Sequence, residues 1–389
     1  MHMDTTLKIT GARLLEDLAT LATFGGREDG GVDRIAGSAA DLASREWLKQ
    51  RMTDCGMRAW SDETGNVLGQ SARAVAPWLL VGSHTDTVPA GGRLDGAYGV
   101  VAAMEVLRTL IEHDHPAGVV AQVISFWDEE GARPLSQGGF VGSSALCDSA
   151  HMEAVRAYIE LHIEQGPRME KAGLELAAVA GIVGVDRYHL RVDGTANHAG
   201  TTPLELRADA GRVATRVAAQ VRDIAMDVSS GMVANAGCIE VQPGAPNVVP
   251  GAANLTVEFR AESEKELDEA RENLITFATE VAAQEHCDVQ VTQLSHQPVT
   301  LFDETMCELV EEACCATERP TATLFSYAGH DAGILAREVP AAMIFVPSSG
   351  GVSHSPLEHT EDSLLVRGAQ VLLDSILSVA GSRSERAAW

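Results

Sequence analysis

Two stretches decide how this chain folds: residues 78–86, WLLVGSHTD, and residues 119–130, VVAQVISFWDEE. Each holds a short, nearly unbroken apolar run, as expected of a strand buried on both faces. Each then ends on groups that can bind or move charge, His84-Thr85-Asp86 in one and Asp128-Glu129-Glu130 in the other. Apolar residues at helical spacing over Leu14–Ala22, Ala40–Met52 and Val100–His113 predict helices before and between these strands. Strands alternating with helices give an α/β fold with a largely parallel sheet. In such sheets the ligand site lies beyond the carboxyl ends of the strands, which is where both polar runs fall.

The middle of the chain has a different rhythm. Val185–Val192, Met232–Val241, Ala253–Arg260 and Asp288–Leu294 read as strands, and Leu204–Ile224 and Glu264–Glu285 as helices. The order β-α-β-β-α-β is the split βαβ, or ferredoxin-like, pattern. Residues 183–297 are therefore expected to form a domain inserted into a first one built from 1–182 and 298–389.

With 55 acidic and 29 basic residues, the chain carries a formal net charge of −26. That balance argues against nucleic acid, whose phosphates demand a basic surface, and against anionic membrane. The cysteines number seven, an odd count with no Cys-x-x-Cys pair, which suits reduced thiols in a cytoplasm. The N-terminal MHMDTTLKIT has no apolar signal core. The apolar run around Val119–Trp127 falls short of the ~20 residues of a membrane span. A cytoplasmic protein without a membrane partner is the expectation.

Five side chains of metal-ligating type lie at predicted strand ends and loops: His84, Asp95, Glu130, His162 and His354. Neutral imidazole and carboxylate suit zinc, and equally manganese, cobalt or nickel. A pair of ions needs a bridging carboxylate, and Asp95 lies among Gly91, Gly92, Gly96 and Gly99, where backbone can approach closely. Asp86, two residues beyond His84 on an extended segment, can accept the proton on the far imidazole nitrogen. Of the adjacent Glu129 and Glu130, one can hold metal while the other stays free to take a proton from water.

Six runs, in order, carry a resemblance: GSHTDTVPAGGRLDGAYGV, FWDEEGARP, ELHIEQGP, ANHAGTTPLELRADA, APNVVPG and GGVSHSPLEHT. Together with the opening GGVDRIAGSAADLASREWL, the chain resembles the M20-type metallohydrolases. Within them it resembles the hydantoinase/carbamoylase branch of N-carbamoyl-L-amino acid hydrolases, allantoate amidohydrolases and β-ureidopropionases. The resemblance implies a three-layer αβα catalytic domain of the di-zinc aminopeptidase type with a ferredoxin-like lid and dimerisation domain. It implies two divalent ions per subunit, one on His84, Asp95 and His162, with Asp95 bridging to a second on Glu130 and His354. Glu129 would be the general base. Arg260 would clamp a substrate carboxylate, Asn247 and Gln165 would give neutral hydrogen bonds, and His198 would donate to the oxyanion. Gly329 would line the substrate pocket, with His330 and Asp86 supporting the ligands. His198 often comes from the partner subunit in such enzymes, so a homodimer is implied.

The expected activity is hydrolysis of an N-carbamoyl-L-amino acid or an allantoate-like ureido acid. Two alternatives stay open, an aminoacylase or dipeptidase using the same metals, and a silent binding protein that keeps the fold. The stretch between Glu130 and His162 is shorter than these relatives carry, which leaves the substrate itself open. His113, His115, His286 and His296 match no motif and are expected at the surface.

Overall fold

A computed structural model of the chain describes residues 7–134, 136 and 138–385. The chain divides into two compact units, one of residues 1–181 with 301–389, the other of residues 182–300. In chain order the strands are β1 (Met57–Ser61), β2 (Val67–Ser71), β3 (Trp78–His84), β4 (Ala121–Phe126), β5 (Val155–Ile163), β6 (Leu176–Ile182), β7 (Gly184–Asp193), β8 (Asn197–His198), β9 (Val233–Gln242), β10 (Val248–Val249), β11 (Ala252–Ala261), β12 (Asp288–Gln297), β13 (Thr300–Leu301), β14 (Thr321–Ser326) and β15 (Ala341–Val346).

The first unit is built on a sheet of order β1-β2-β4-β3-β5-β15-β6-β13, with β14 paired to β6. Its centre is parallel: β3 pairs with β4 and β5, and β5 with β15. Antiparallel strands flank that centre, β2 beside β4 and β6 beside β15, so the sheet is mixed toward its margins. The parallel strands are apolar because helices cover them: β4 and β15 are buried along their whole length.

Helix Ala97–Glu112 is buried nearly all round, including Val100, Val101, Met104 and Leu107. Such a helix is held by packing more than by propensity. Helix Ala39–Asp54 starts where Ser38 accepts from the backbone of Asp41, and the Asp41 carboxylate accepts from Gly37. Helix Asp362–Glu385 contains a segment, Asp362–Gly381, long and apolar enough to cross a membrane by length and composition. Its Leu365, Ala369, Leu372, Leu373 and Ile376 are buried in the core, so that apolarity is used in packing.

Two buried arginines fix the strand ends that face the site. Arg34 donates Nε to the carbonyl of Thr85 (2.5 Å) and Nη1 to Leu21 and Phe24. Arg45 pairs with Asp41 (2.9 Å) and donates to the carbonyl of Phe126, the last residue of β4. Each arginine satisfies a carbonyl where the ladder stops, so the following residues leave in a set direction.

In the second unit an antiparallel sheet of order β12-β7-β11-β9 carries two long helices. Leu190, Val192, Leu255, Val257 and Phe259 pack on Val213, Val217, Leu274 and Ala278 of those helices. The helix expected over Leu204–Ile224 begins later, at Ala210, because Asp209 caps it by accepting from the backbone of Arg212 (3.0 Å). Leu204 and Leu206 lie in a separate 3-10 turn and are exposed.

Candidate metal centre

The parallel strands deliver their side chains to one place. His84 is the last residue of β3, Glu129 and Glu130 follow β4, and His162 is the last residue but one of β5. Asp95 precedes helix Ala97–Glu112, and His354 lies in the loop after β15. Ligand atoms of His84, Asp95 and His162 lie within 4.8 Å of one another, as do those of Asp95, Glu130 and His354. Asp95 belongs to both groups and faces each with a different oxygen. Its Oδ1 lies 3.2 Å from His162 Nε2 and 3.6 Å from His84 Nε2, and its Oδ2 lies 3.2 Å from His354 Nε2.

The tautomers suit metal. His84 Nδ1 is 3.1 Å from the Asp86 carbonyl and His162 Nδ1 is 2.8 Å from the Ile163 carbonyl. A carbonyl only accepts, so each Nδ1 carries a proton and the neutral ring keeps its lone pair on Nε2, which on His162 accepts from the backbone N–H of Gly96 (3.0 Å). This corrects the role expected of the Asp86 side chain, whose Oδ1 is 3.7 Å from His84 Nδ1. The carboxylate instead accepts from the backbone N–H of Glu129 (3.3 Å) and Glu130 (3.2 Å) and so sets the turn that presents both glutamates. The backbone carbonyl of Asp86, not its carboxylate, orients His84.

The charge balance also fits cations. Glu129 faces His84 at 3.5 Å and Glu130 faces His354 at 3.5 Å, and neither pairs with lysine or arginine among the described residues. Glu130 Oε1 is buried without a hydrogen-bond donor. Burial, with Asp95 nearby, pushes the Glu130 carboxyl up to about 7. Burial likewise holds Glu129 well above the usual carboxylate range, partly offset by His84. Buried carboxylates in excess of their donors are relieved by protons or by a cation. Gly96 is required here, because a Cβ would run into the His84 ring.

A hydrolase family with two metal ions would have this constellation. A model of peptidase family M20/M25/M40 matches residues 80–378. The chain belongs to that family. Among M20-family relatives it is similar to an N-carbamoyl-L-amino acid amidohydrolase of Geobacillus stearothermophilus, 31% identical, covering 96% of this chain and 99% of the relative. It is similar to an allantoate amidohydrolase of Bacillus subtilis, 29% identical, covering 92% and 95%. Among solved structures it resembles a hydantoinase/carbamoylase family amidase from Burkholderia ambifaria, with TM-score 0.87 and 33% identity over 96% of this chain and 98% of that one.

The remaining residues that sequence singled out in this M20 chain fall into two sets. Gln165, in a left-handed conformation (φ 60°), gives its side-chain amide to Asp95 Oδ2 at 2.8 Å. His330 is buried edge-on to the His162 ring at 4.6 Å and lies 2.9 Å from the Ser326 hydroxyl. Burial holds it well below the usual histidine range, so it braces His162 as a neutral ring. Gly329 allows its loop to pass Phe140, which a Cβ would approach to 2.8 Å.

His198, Asn247 and Arg260 belong to the second unit. His198 and Asn247 meet where β8 pairs with β10, the Asn247 carbonyl accepting from the backbone of Ala199. His198 is exposed, and its Nδ1 accepts from the backbone of Gly200 (3.1 Å) and Thr201 (3.2 Å). Its proton is therefore on Nε2, free to donate outward. Arg260 gives Nε to Glu258 at 2.8 Å.

Sequence reading missed Arg34, Arg45, Glu160, Ser353 and Glu358, which support the site from behind. Glu160 accepts from the Ser83 hydroxyl (2.6 Å) and from the backbone of Ala332 (2.9 Å). The signal for Ser353 and Glu358 lay in GGVSHSPLEHT, where only the histidine had been weighed.

Proposed function

We propose that this M20-family chain hydrolyses the ureido C–N bond of N-carbamoyl-L-amino acids or of related ureido acids such as allantoate, using two divalent ions per subunit. The observation that carries the reading is the convergence of His84, Asp95, Glu129, Glu130, His162 and His354 at the strand ends of one sheet. The names of the relatives give the reaction class.

Asp95 would be shared between the ions, with His84 and His162 on one side and Glu130 and His354 on the other. The ions, when bound, supply Lewis acidity to the ureido carbonyl and to water. Zinc, manganese, cobalt and nickel all suit this donor set. Glu129, a carboxylate paired with no lysine or arginine among the described residues, takes the proton from the attacking water and passes it to the leaving nitrogen. The products are ammonia, carbon dioxide and the free amine.

From the second unit, His198 would donate Nε2–H to the oxyanion, a role supported by the tautomer its turn enforces. Arg260 would exchange part of its bond to Glu258 for the substrate carboxylate, a bidentate partner. Asn247, Gln165 and Gly329 would complete the pocket. Homodimerisation belongs to the same reading, supported by the edge strand β9, which exposes Val233, Ile239 and Val241. A cytoplasmic setting is supported by seven cysteines without a disulfide.

The test is ammonia release from N-carbamoyl-L-amino acids, N-carbamoyl-β-alanine and allantoate with Mn²⁺ present, beside amine release from N-acetyl amino acids. Ammonia from a ureido acid, abolished in Glu129→Gln, is the expected result. Amine from the N-acetyl compounds alone would move the enzyme to the aminoacylase side of the family.

A further inference from the structure

The proposed ligands leave a further buried carboxylate unexplained. Glu358 lies four residues past His354 and is 5% exposed. Its donors are all neutral. The backbone N–H groups of Leu94 (2.8 Å) and Asp95 (3.1 Å) reach Oε1, and the Ser353 hydroxyl reaches Oε2 at 2.8 Å. That hydroxyl also lies 3.3 Å from Asp95 Oδ2, so Ser353 stands between the two carboxylates. Gly92 is required for the arrangement, because a Cβ there would sit inside the Glu358 carboxyl group.

An acid buried beside another acid, with no lysine or arginine paired to it among the described residues, is costly unless the place needs it. The need is geometric. His84, Glu130 and His162 leave parallel strands or the turn after one, where ladder bonds and the Asp86 carboxylate fix them. Asp95 and His354 sit on loops that no ladder holds. We infer that Glu358 is a positioning residue whose carboxylate ties the loop carrying Asp95 to the loop carrying His354, setting the geometry of the Asp95–Glu130–His354 ion site. The inference rests on the two-metal reading proposed above.

The asymmetry follows from the connections. Freeing the two loops from each other alters the Asp95–His354 spacing, on which the second ion depends. The first ion keeps His84 and His162 on their strands. In Glu358→Gln the amide oxygen still accepts from Leu94 and Asp95, but the amide nitrogen turns a donor toward Ser353, which must redirect its hydroxyl. In Ser353→Ala the link to Asp95 is cut and the carboxylate kept.

The experiment is a titration of Mn²⁺ into chelator-stripped, full-length wild type, Glu358→Gln and Ser353→Ala, with near-ultraviolet circular dichroism as the check on packing. The expected result is two ions on wild type. One of the two ions, that of the Asp95–Glu130–His354 group, should lose about 10- to 100-fold in affinity in Glu358→Gln, the range typical of residues that orient ligands. It should lose less in Ser353→Ala, and the other ion should be nearly unchanged in both. Equal weakening of both ions, or wild-type affinity for both, would overturn the inference. Fewer than two ions on wild type would overturn the metal reading itself, and Glu358's role with it. Should Glu358→Gln fail to fold, Ser353→Ala decides by the same criterion.

Discussion

Among the places where histidine meets carboxylate in the described residues, two have opposite bookkeeping of donors and acceptors. In the second unit His296 Nδ1 lies 2.7 Å from Asp186, and its Nε2 lies 3.6 Å from Glu264. Asp186 also accepts from Tyr188 (2.6 Å) and Gln293 (3.1 Å), and Glu264 from the backbone of Val299 (2.6 Å). Protein donors serve both acids there. In the first unit Asp95 accepts from the Gln165 amide, but Glu129 and Glu130 face only histidine rings, and Glu130 Oε1 has no donor. Proximity of histidine to acid is therefore a poor sign of a metal site. An acid surplus with ring lone pairs turned inward is a better one.

The sharpest way to break that contrast is to remove the proton carrier. Glu129→Gln should lower turnover by ~10²- to 10⁴-fold while metal content stays at the wild-type level. A parallel fall in metal content would instead make Glu129 a ligand.

Metal itself should separate the two units. At ion concentrations of about 100 Kd, binding stabilises the folded state by about 2.7 kcal/mol. Hydrogen exchange should slow in β3, β4 and β5 on adding Mn²⁺ and stay unchanged around Asp186 and His296. Equal slowing at both places would contradict the contrast.

Asp86→Asn tests the corrected role of that carboxylate. One amide oxygen cannot serve both backbone N–H groups in the same geometry, so kcat should fall about tenfold with His84 still held by a carbonyl. A large loss of metal, with kcat per bound ion unchanged, would return Asp86 to the role of partner to the His84 ring.

The smallest effect belongs to His296. A hydrogen bond to Asp186 raises its pKa, so its stabilisation is fully present below the unfolded value near 6.5 and is lost as pH rises through the folded value. His296→Gln should cost a few tenths of a kcal/mol at pH 5.5, as an exposed pair does, and approach nothing by pH 9. Urea denaturation at the two pH values measures it, and a cost that grows with pH would reverse the assignment.

Much of this was readable beforehand for a physical reason. Strands buried on both faces, such as β4, carry unbroken apolar runs, and residues that stop such a run fall at a sheet end. That placed His84, Glu129 and Glu130. Contacts between residues distant in sequence were not readable: Glu358 reaches Leu94, and Arg34 reaches Thr85, through a folded geometry that leaves no local pattern. Helix starts were misplaced where a cap overrode periodicity, as Asp209 does. His296 is exposed, as expected, and only its pairing with Asp186, which depends on the register of β12 against β7, was not readable.

The most direct measurement is ammonia release from an N-carbamoyl-L-amino acid, or from allantoate, as Mn²⁺ is titrated into chelator-stripped enzyme. Activity should rise with ion occupancy and level off at two ions per chain, with Glu129→Gln silent throughout. Full ammonia release from the stripped enzyme, or a plateau reached with no ion bound at the Asp95–Glu130–His354 group, would contradict a two-metal ureidohydrolase.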